Sequence, residues 1–572
     1  MVDFSWIEIT ANKFKNAKVL WTDRHEELKH DSESLEKYHE ALINESAYGI
    51  CDTPCFSNIE FDRNDKKSLL VERYGGAGLG ANGGAGRCGN LPQYQIKGIG
   101  QTPVIGAHTD LMHNYGGLDA PLAIKEVIYT NLVNVLLPLG AVKIRSLILV
   151  GERTAYYHVP ENPCWGVLMM RDHCIRPAHF MRAPEFQPQQ KYRSILLDDV
   201  ARVRIANKEL FRHFGEPNQF IQFLGKFLQN CANQFGFARA VRFMHGALTP
   251  SNITLEGKWL DLPIASMLGG GKNYCLTSEF YTEHLSPIDY AMELLHGYAK
   301  YNKILLNPTP LINYYHKQFD AYFRYHIGYV LGLDSNTIAQ LNSDDWGQIT
   351  NAFGQVIHAG KEIDTRWPTF DSSDPVLALI SAFYLSLKSF SEAVSSFRLA
   401  GVPQDRPYQL HQSFRTVVRE VANKSFGEGS SRMLYRNFVI ASALTAIKRT
   451  YLAQVFYGTA IERDVWQVCN EKSPDDVAPL IESYNDLSKW IFEEPSAEIV
   501  IFRSSEILCY FNSLDGAYIL RAKEEVTFRC YADFLDFIVG LNSKRLEINN
   551  FSFIEFFKAV ENILSTLEKI ED

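Results

Sequence analysis

Two polar residues nine positions apart, Asn252 and Asp261, are the first side chains in this chain whose types and spacing suggest chemistry. Residues 253–260 between them are predicted to form a short hairpin with its turn at 256–258. Such a hairpin brings an amide oxygen and a carboxylate to one place, and Mg²⁺ accepts oxygen ligands of both kinds. A simpler interpretation is that each residue caps the backbone of its own turn.

Upstream, the chain carries further parts in the order in which protein kinases arrange them. A glycine-rich run over residues 74–87 precedes a predicted strand that ends near Lys97, and a later predicted helix carries Glu126. With Asn252 and Asp261, this gives a glycine-rich loop, a strand lysine, a helix glutamate, an amide and a carboxylate. The glycines whose backbone N–H groups are predicted to face phosphates are Gly75, Gly76, Gly78, Gly80, Gly83 and Gly84.

The charged residues have defined roles in this interpretation. Lys97 neutralises nucleotide phosphates and pairs with Glu126, which fixes its position. Arg171 and Arg176 are predicted to clamp phosphates through paired hydrogen bonds. The simpler alternatives are a lysine on a strand surface, a solvated turn arginine and a flexible glycine linker, and the shared order of the parts favours a nucleotide site.

Several segments between residues 74 and 261 are similar, in order, to the motifs of one protein family. They are residues 74–86 (Y-A-G-x-x-x-G in the family), 95–103 (L-K-G-x-G-x-T-P), 139–151 (L-G-x-x-x-x-R-x-x-x-x-x-x-G), 166–171 (V-L-x-R), 175–180 (I-R-x-G-H-F) and 245–252 (H-G-x-x-x-x-D-N). The family that these segments resemble is selenoprotein O, whose members are kinase-like protein adenylyltransferases.

The resemblance implies an α+β fold with a protein-kinase-like two-lobed core, followed by a long helical C-terminal extension and a small terminal α+β unit. It implies ATP as the substrate and Mg²⁺ held by Asn252 and Asp261. In that family ATP lies reversed relative to kinases, so its α-phosphate faces the acceptor. The expected reaction is transfer of AMP to a protein or peptide acceptor, with release of pyrophosphate.

The sharpest departure from the family lies at Ser251, where the family has an aspartate that acts as the catalytic base. A hydroxyl does not act as a general base near neutral pH without help. An acceptor that is already an anion would suit this site, and attack by a carboxylate would give an acyl-adenylate. A second hypothesis is therefore carboxyl activation in the maturation of a ribosomally made peptide, such as a microcin. A third hypothesis is a pseudoenzyme scaffold that binds nucleotide.

Composition excludes other classes of function. The net charge of −9 argues against a general nucleic-acid binder, because neutralising phosphates requires a basic face. No apolar run reaches the length of about 20 residues that spans a membrane, and the first residues lack a signal peptide. We therefore expect a cytoplasmic protein. The ten cysteines are scattered without paired zinc spacing, which indicates reduced thiols.

Pattern changes along the chain predict five regions. They are an N-terminal extension over 1–70, a nucleotide-binding region with the glycine-rich loop over 71–190, a region with the metal hairpin over 191–300, a helical region over 301–490 and an accessory α+β unit over 495–572. The last unit is a candidate for docking a peptide or a partner subunit.

Overall fold

The computed structural model describes residues 6–28, 31–75, 81–156, 159–196, 198–269, 279–340, 344–359, 374–427, 431–494, 496–541 and 543–570. Over these ranges the protein is a mixed α+β molecule, with an antiparallel sheet in its N-terminal part and helices through most of the remainder. The α+β class predicted from the sequence is confirmed. No helix in the described ranges combines the length and apolar character needed to cross a membrane.

The N-terminal part is built on one eight-stranded sheet in which every neighbouring pair is antiparallel. Its strands are β1 (Ile7–Phe14), β2 (Lys18–Thr22), β3 (Tyr48–Gly49), β4 (Phe61–Val71), β5 (Cys88–Asn90), β6 (Tyr94–Lys97), β7 (Ile144–Tyr156) and β8 (Val159–Asp172). Their order across the sheet is β2-β7-β8-β6-β5-β4-β1-β3. The strand that ends in Lys97 therefore lies in the middle of the sheet.

The sequence predicts an extension over residues 1–70. In the structure these residues instead supply four strands of this sheet. Strand β1 pairs with β4 from Ile7 opposite Val71 to Phe14 opposite Phe61. Strand β2 pairs with β7 at the other edge. This stretch also contains helix α2, preceded by the four-residue helix α1. These helices are α1 (His25–Leu28) and α2 (Ser32–Ser46).

Helix α4 (Ala120–Leu136), which follows the short α3 (Leu111–Asn114), is covered on several faces. Pro121 lies in the first turn of α4, where proline already has a helical backbone angle. Backbone N–H groups in this turn have no partner within the helix, so the missing N–H of proline costs no hydrogen bond. Most of its residues are buried, because the helix contacts β8 of the sheet and also α16 and α17 of the helical part. The latter two helices are α16 (Gly458–Glu471) and α17 (Val477–Phe492).

Helices dominate the chain after the sheet, including the region 301–490 that the sequence predicts as helical. The other members of the helical part are α5 (Asp199–Phe214), α6 (Pro217–Ala240), α7 (Glu279–Thr282), α8 (Ser286–Asn302), α9 (Thr309–Val330), α10 (Ser335–Ala339), α11 (Asp344–Ala359), α12 (Pro375–Ser386), α13 (Phe390–Leu399), α14 (Pro407–Phe426) and α15 (Arg432–Tyr451). The two-stranded pair β9 (Phe243–Met244) and β10 (Ser266–Met267) lies among them. Helix α6 runs beside α9 along much of its length.

The C-terminal residues form a small unit of strands and helices. It consists of β11 (Glu498–Arg503), β12 (Leu508–Asn512), β13 (Ala517–Arg521), β14 (Glu525–Phe528), α18 (Tyr531–Val539), β15 (Glu547–Ile548), β16 (Phe551–Ser552) and α19 (Ile554–Leu567). Its apolar residues belong to the same buried cluster as the helical part. Buried Lys448 of α15 also donates hydrogen bonds to the carbonyls of Trp490 and Val500, at 2.8 and 2.9 Å. The unit is therefore fused to the helical part by a shared core.

Candidate active site

Lys97 lies at the centre of the candidate site, where a strand, a helix and a hairpin meet. Its Nζ is 2.7 Å from Oε2 of Glu126 on α4, and it also forms an ion pair with Oδ1 of Asp261. The side chains of Lys97 and Glu126 are 3% and 2% exposed, whereas that of Asp261 is 30% exposed. Three residues that the sequence predicts as site residues are thus in direct contact.

The residue after Lys97 explains how the strand can end there. Gly98 has φ +99, a left-handed conformation that favours glycine. A Cβ at this position would lie 2.6 Å from the carbonyl oxygen of Val167 on the neighbouring strand. Glycine therefore lets the chain turn out of the sheet directly after Lys97, so that the lysine occupies the end of β6.

The predicted hairpin between Asn252 and Asp261 is present. The N–H of Leu260 donates to the carbonyl of Asn252 at 3.2 Å, and Ile253 pairs with Trp259 in an antiparallel bridge. Asp261 follows with φ +63, which is uncommon for a residue with a side chain. Strained backbone of this kind persists where the surrounding structure determines it. The pairing brings the backbone of Asn252 close to the residue before Asp261.

The charge of Asp261 is set by the cations around it. Burial alone would raise the pKa of its carboxyl, but Lys97 and Arg171 hold that pKa well below its ordinary value. A carboxylate must be ionised to bind a metal ion. Asp261 is therefore ready to do so throughout the physiological pH range.

The amide of Asn252 is held in one orientation by the backbone. Its Nδ2 donates to the carbonyl of Ala247 at 2.8 Å, which fixes the amide, and its Oδ1 is 3.4 Å from the hydroxyl of Ser251. An amide oxygen and an ionised carboxylate fit the hard-oxygen preference of Mg²⁺. No group of three or more His, Cys, Asp or Glu side chains suited to a metal occurs in the described ranges. The match of the site to Mg²⁺ therefore depends on the oxygens of Asn252 and Asp261.

His245 supports the hairpin as a neutral ring. Its Nδ1 accepts from the N–H of Ala247 at 3.3 Å, so Nε2 carries the proton and donates to the carbonyl of Leu260 at 3.1 Å. Burial lowers the pKa of His245 to about 4. The carboxylate of Glu283 accepts from the backbone N–H groups of His245 and Gly246 at 3.1 and 3.2 Å. Both ring nitrogens are engaged, so His245 positions the loop.

Ser251 occupies the position where the resemblance would require a base. Its hydroxyl lies 2.8 Å from that of Thr249, in addition to its contact with Asn252. Neither partner is a carboxylate or an imidazole that could accept a proton near neutral pH. These contacts do not activate the Ser251 hydroxyl.

The two predicted phosphate-clamping arginines differ in how fully the protein engages them. Arg171 donates through Nε to Oε1 of Gln95 at 2.8 Å, but its Nη1 makes no hydrogen bond in the described part of the chain and lies 3.6 Å from Glu126. Arg176 donates to Gln95 at 3.1 Å and to the carbonyl of Ser251 at 3.2 Å. Arg171 therefore retains a donor that a group entering the site would satisfy. Arg176 instead fixes the Ser251 loop, and its phosphate-clamping role stays a prediction.

Two residues of this network, Glu72 and Gln95, are absent from the sequence-based prediction. Gln95 precedes Lys97 by two positions in β6, so strand alternation places both on one face. Its Nε2 donates to Oε2 of Glu72 at 3.0 Å. Burial would raise the pKa of Glu72, but hydrogen bonding from His179 and the charge of Arg176 lower it to about 2. Strand alternation is the sequence signal that could have identified Gln95. No signal in the sequence around Glu72 points to its place in the site.

Two described glycines of the glycine-rich run use their backbone N–H groups within the protein, and the contact of the run with phosphates stays a prediction. The N–H of Gly75 donates to Ala178 at 2.9 Å, and that of Gly83 donates to Val104 at 2.8 Å. Gly84 has φ +152, and a Cβ there would lie 2.1 Å from the carbonyl oxygen of Glu72. These glycines permit close backbone approach. The other three glycines of the prediction, Gly76, Gly78 and Gly80, lie outside the described residues.

Comparison with models of known protein families gives no match for this chain, and comparison with curated proteins gives none either.

Proposed function

We propose that this protein is a Mg-ATP-dependent nucleotidyltransferase with a kinase-like two-lobed core, which transfers AMP to a protein or peptide acceptor and releases pyrophosphate. The observation that carries the proposal is the position of Lys97 between Glu126 and Asp261. A cation held by a helix glutamate beside an ionised carboxylate is the arrangement with which kinase-like enzymes bind nucleotide phosphates and their metal. The choice of AMP transfer over phosphoryl transfer rests on the resemblance to selenoprotein O.

Each side chain has a separate task in the proposed reaction. Mg²⁺ would supply charge neutralisation at the phosphates, with Asn252 and Asp261 holding it through their oxygens. Lys97 is kept in place by Glu126 and places its positive charge at the phosphates. The Nη1 of Arg171 provides a further donor in the same part of the site. The chain thus stabilises negative charge, which is the main requirement of transfer from a nucleoside triphosphate.

Ser251 favours a second candidate for the acceptor, a carboxylate. The hydroxyl of Ser251 is bonded to other neutral groups, and both nitrogens of His245 are occupied by the backbone. A carboxylate is already ionised near neutral pH and needs no base. Its attack on the α-phosphate would form an acyl-adenylate and release pyrophosphate, as in the activation of a peptide carboxyl group.

Radiolabelled ATP tests the proposal through the bond that is cleaved. Incubation with a proteome or peptide mixture and α-labelled ATP should leave label on an acceptor and release pyrophosphate. Asp261→Asn should reduce both products by ~10²-fold or more, since it removes an electrostatic stabiliser of the site. Asp515→Asn, at an exposed position in the terminal unit, is the matched control and should leave both unchanged. Transfer of γ-label with release of ADP would contradict the proposal.

A further inference from the structure

A cleft remote in sequence from the candidate active site lies between helices of the helical part. It has a volume of about 440 Å³, within the range of sites that hold small ligands or peptide segments. One wall is α11, and the other is the start of α14 with the turn that precedes it. Its floor is apolar and is formed by Ala352, Val356, Val402 and Leu410.

Amide side chains line one wall of the cleft as a stripe. Gln348, Asn351 and Gln355 occupy positions three and four residues apart on α11, so they share one face of the helix. Asn351 and Gln355 are separated by about 6 Å along the helix axis. An extended peptide repeats the same side of its backbone every ~6.6 Å. The two amides are therefore spaced to pair with every second peptide group of an extended segment.

Several polar side chains of the cleft have no partner among the residues that the structure describes. In the described ranges, the side chains of Asn351, Gln355, Gln409 and Arg406 make no hydrogen bond or ion pair. Each amide offers both a donor and an acceptor, which matches the N–H and C=O groups of a peptide backbone. Four unpartnered polar groups above an apolar floor are suited to a ligand that is itself part amide and part apolar.

The position of Arg406 distinguishes one end of the cleft from the other. The hydroxyl of Ser413 lies 3.4 Å from Oε1 of Gln348, and Arg406 precedes Ser413 by seven residues. These seven residues span about 10 Å along α14, so Arg406 lies away from the Gln348 end. Arg406 is exposed, and its guanidinium forms no ion pair with the described residues, including the neighbouring Asp405. The lysine and arginine residues within α14, Arg415, Arg419 and Lys424, lie at or beyond the Gln348 end. A carboxylate is the complementary group at this end.

We infer that this cleft binds an extended peptide segment of about three to four residues with a carboxylate at the Arg406 end. The amides of Asn351 and Gln355 pair with its backbone, and the apolar floor accommodates its side chains. The carboxylate is that of an acidic side chain or of a peptide C-terminus. Under the proposed function, on which this assignment of the ligand rests, the segment belongs to the acceptor and docks it away from the site of transfer.

Fluorescence anisotropy without nucleotide tests the binding directly. The probes are three pools of fluorescein-labelled hexapeptides, random except at the last position: glutamate with an amidated C-terminus, glutamine with an amidated C-terminus, and glutamine with a free C-terminus. The glutamate pool and the free-acid pool should each bind ~10-fold or more tightly than the amidated glutamine pool, because each provides a carboxylate for Arg406. The pool that binds more tightly identifies the source of the carboxylate.

Cleft variants and matched controls distinguish specific binding from adhesion to a basic surface. Asn351→Leu and Gln355→Leu should each weaken binding of the best pool about 5-fold, through the loss of one backbone pairing. Gln412→Leu changes an exposed amide on α14 that does not line the cleft, and it should have no effect.

The charge variants complete the test. Arg406→Gln should abolish the preference for carboxylate, whereas Arg419→Gln makes the same change about 20 Å further along the helix and should retain it. Failure of all pools to bind below 1 mM, or equal binding by cleft and control variants, would overturn the inference. If Asp261→Asn stops transfer while peptide binding persists, the two sites are separate. If binding is absent while transfer is intact, only the cleft assignment fails.

Discussion

Replacing Lys97 by methionine should destabilise the protein as well as inactivate it, because the lysine is the cation for two carboxylates. Lys97 and Glu126 are 2.7 Å apart and no more than 3% exposed. Removing one partner of a buried ion pair costs ~3–5 kcal/mol, since the other charge remains buried. Arg171 lies 3.6 Å from Glu126 and compensates in part. We therefore expect a loss of about 3 kcal/mol in the free energy of unfolding for Lys97→Met.

A double-mutant cycle isolates the ion pair from other effects of the substitution. Glu126→Gln leaves Lys97 paired with Asp261, so we expect a loss of about 2 kcal/mol. The double variant lacks both the lysine and the charge of Glu126. The carboxylate that is then left without Lys97 is that of Asp261, whose side chain is 30% exposed to water. The double variant should then lose about 3 kcal/mol, which gives a coupling energy of about 2 kcal/mol between Lys97 and Glu126.

The assay is urea unfolding at pH 7, followed by tryptophan fluorescence, with Mg-ATP binding measured by calorimetry on the same samples. Lys258→Met is the control, because Lys258 is exposed in the hairpin turn and its loss should change stability by less than about 0.5 kcal/mol. Single-variant losses below ~1 kcal/mol, or losses that add within ~0.5 kcal/mol, would refute the reasoning. Such a result would mean that the three groups do not act as one buried cluster.

Two further predictions concern Ser251 and Asp119. Ser251→Asp should speed transfer to hydroxyl acceptors by ~10² to 10⁴-fold, because it restores a general base. If the variant is slower and hydroxylamine traps a hydroxamate, the acceptor is a carboxylate, repelled by the new charge. Burial raises the pKa of Asp119 from 3.8 to about 6. The buried Asp119 carboxyl favours the folded state when it is protonated. This contribution to stability is complete below pH 3.8 and is lost as pH rises through about 6. Above pH 7 the ionised form therefore costs at most about 3 kcal/mol. Asp119→Asn should raise the melting temperature more at pH 7.5 than at pH 4.5, and a difference that does not change with pH would contradict this.

Local pattern was sufficient to predict the elements that carry the site. The alternation before Gly98 predicts the strand of Lys97, and the stretch that carries Glu126 is predicted as a helix and forms α4. The contact of Lys97 with Glu126 followed from the order of the parts, because kinase-like sites pair a strand lysine with a helix glutamate. The hairpin of Asn252 followed from the glycine in its turn.

Pairings distant in sequence could not be predicted in the same way. One partner of β1 is β4, which begins 47 residues after β1 ends, and nothing within either strand specifies that pairing. The burial of Arg176 is a similar case. Its residue type indicates an anion partner, but whether that anion is a phosphate or the protein's own carbonyl and amide oxygens depends on the folding of Gln95 and Ser251 around it.

The helical part has a direct connection to the candidate site through α4, the helix that carries Glu126. Nζ of Lys125 lies 3.6 Å from Oε2 of Glu462 on α16, and Nδ2 of Asn131 donates to Asn485 on α17 at 2.8 Å. The hydroxyl of Tyr129 donates to a carbonyl of the same part at 3.1 Å. A helix held only by the sheet could shift away from it and separate Glu126 from Lys97. Because α4 is held on both sides, Glu126 stays beside Lys97, and the helical part is therefore a structural requirement of the site.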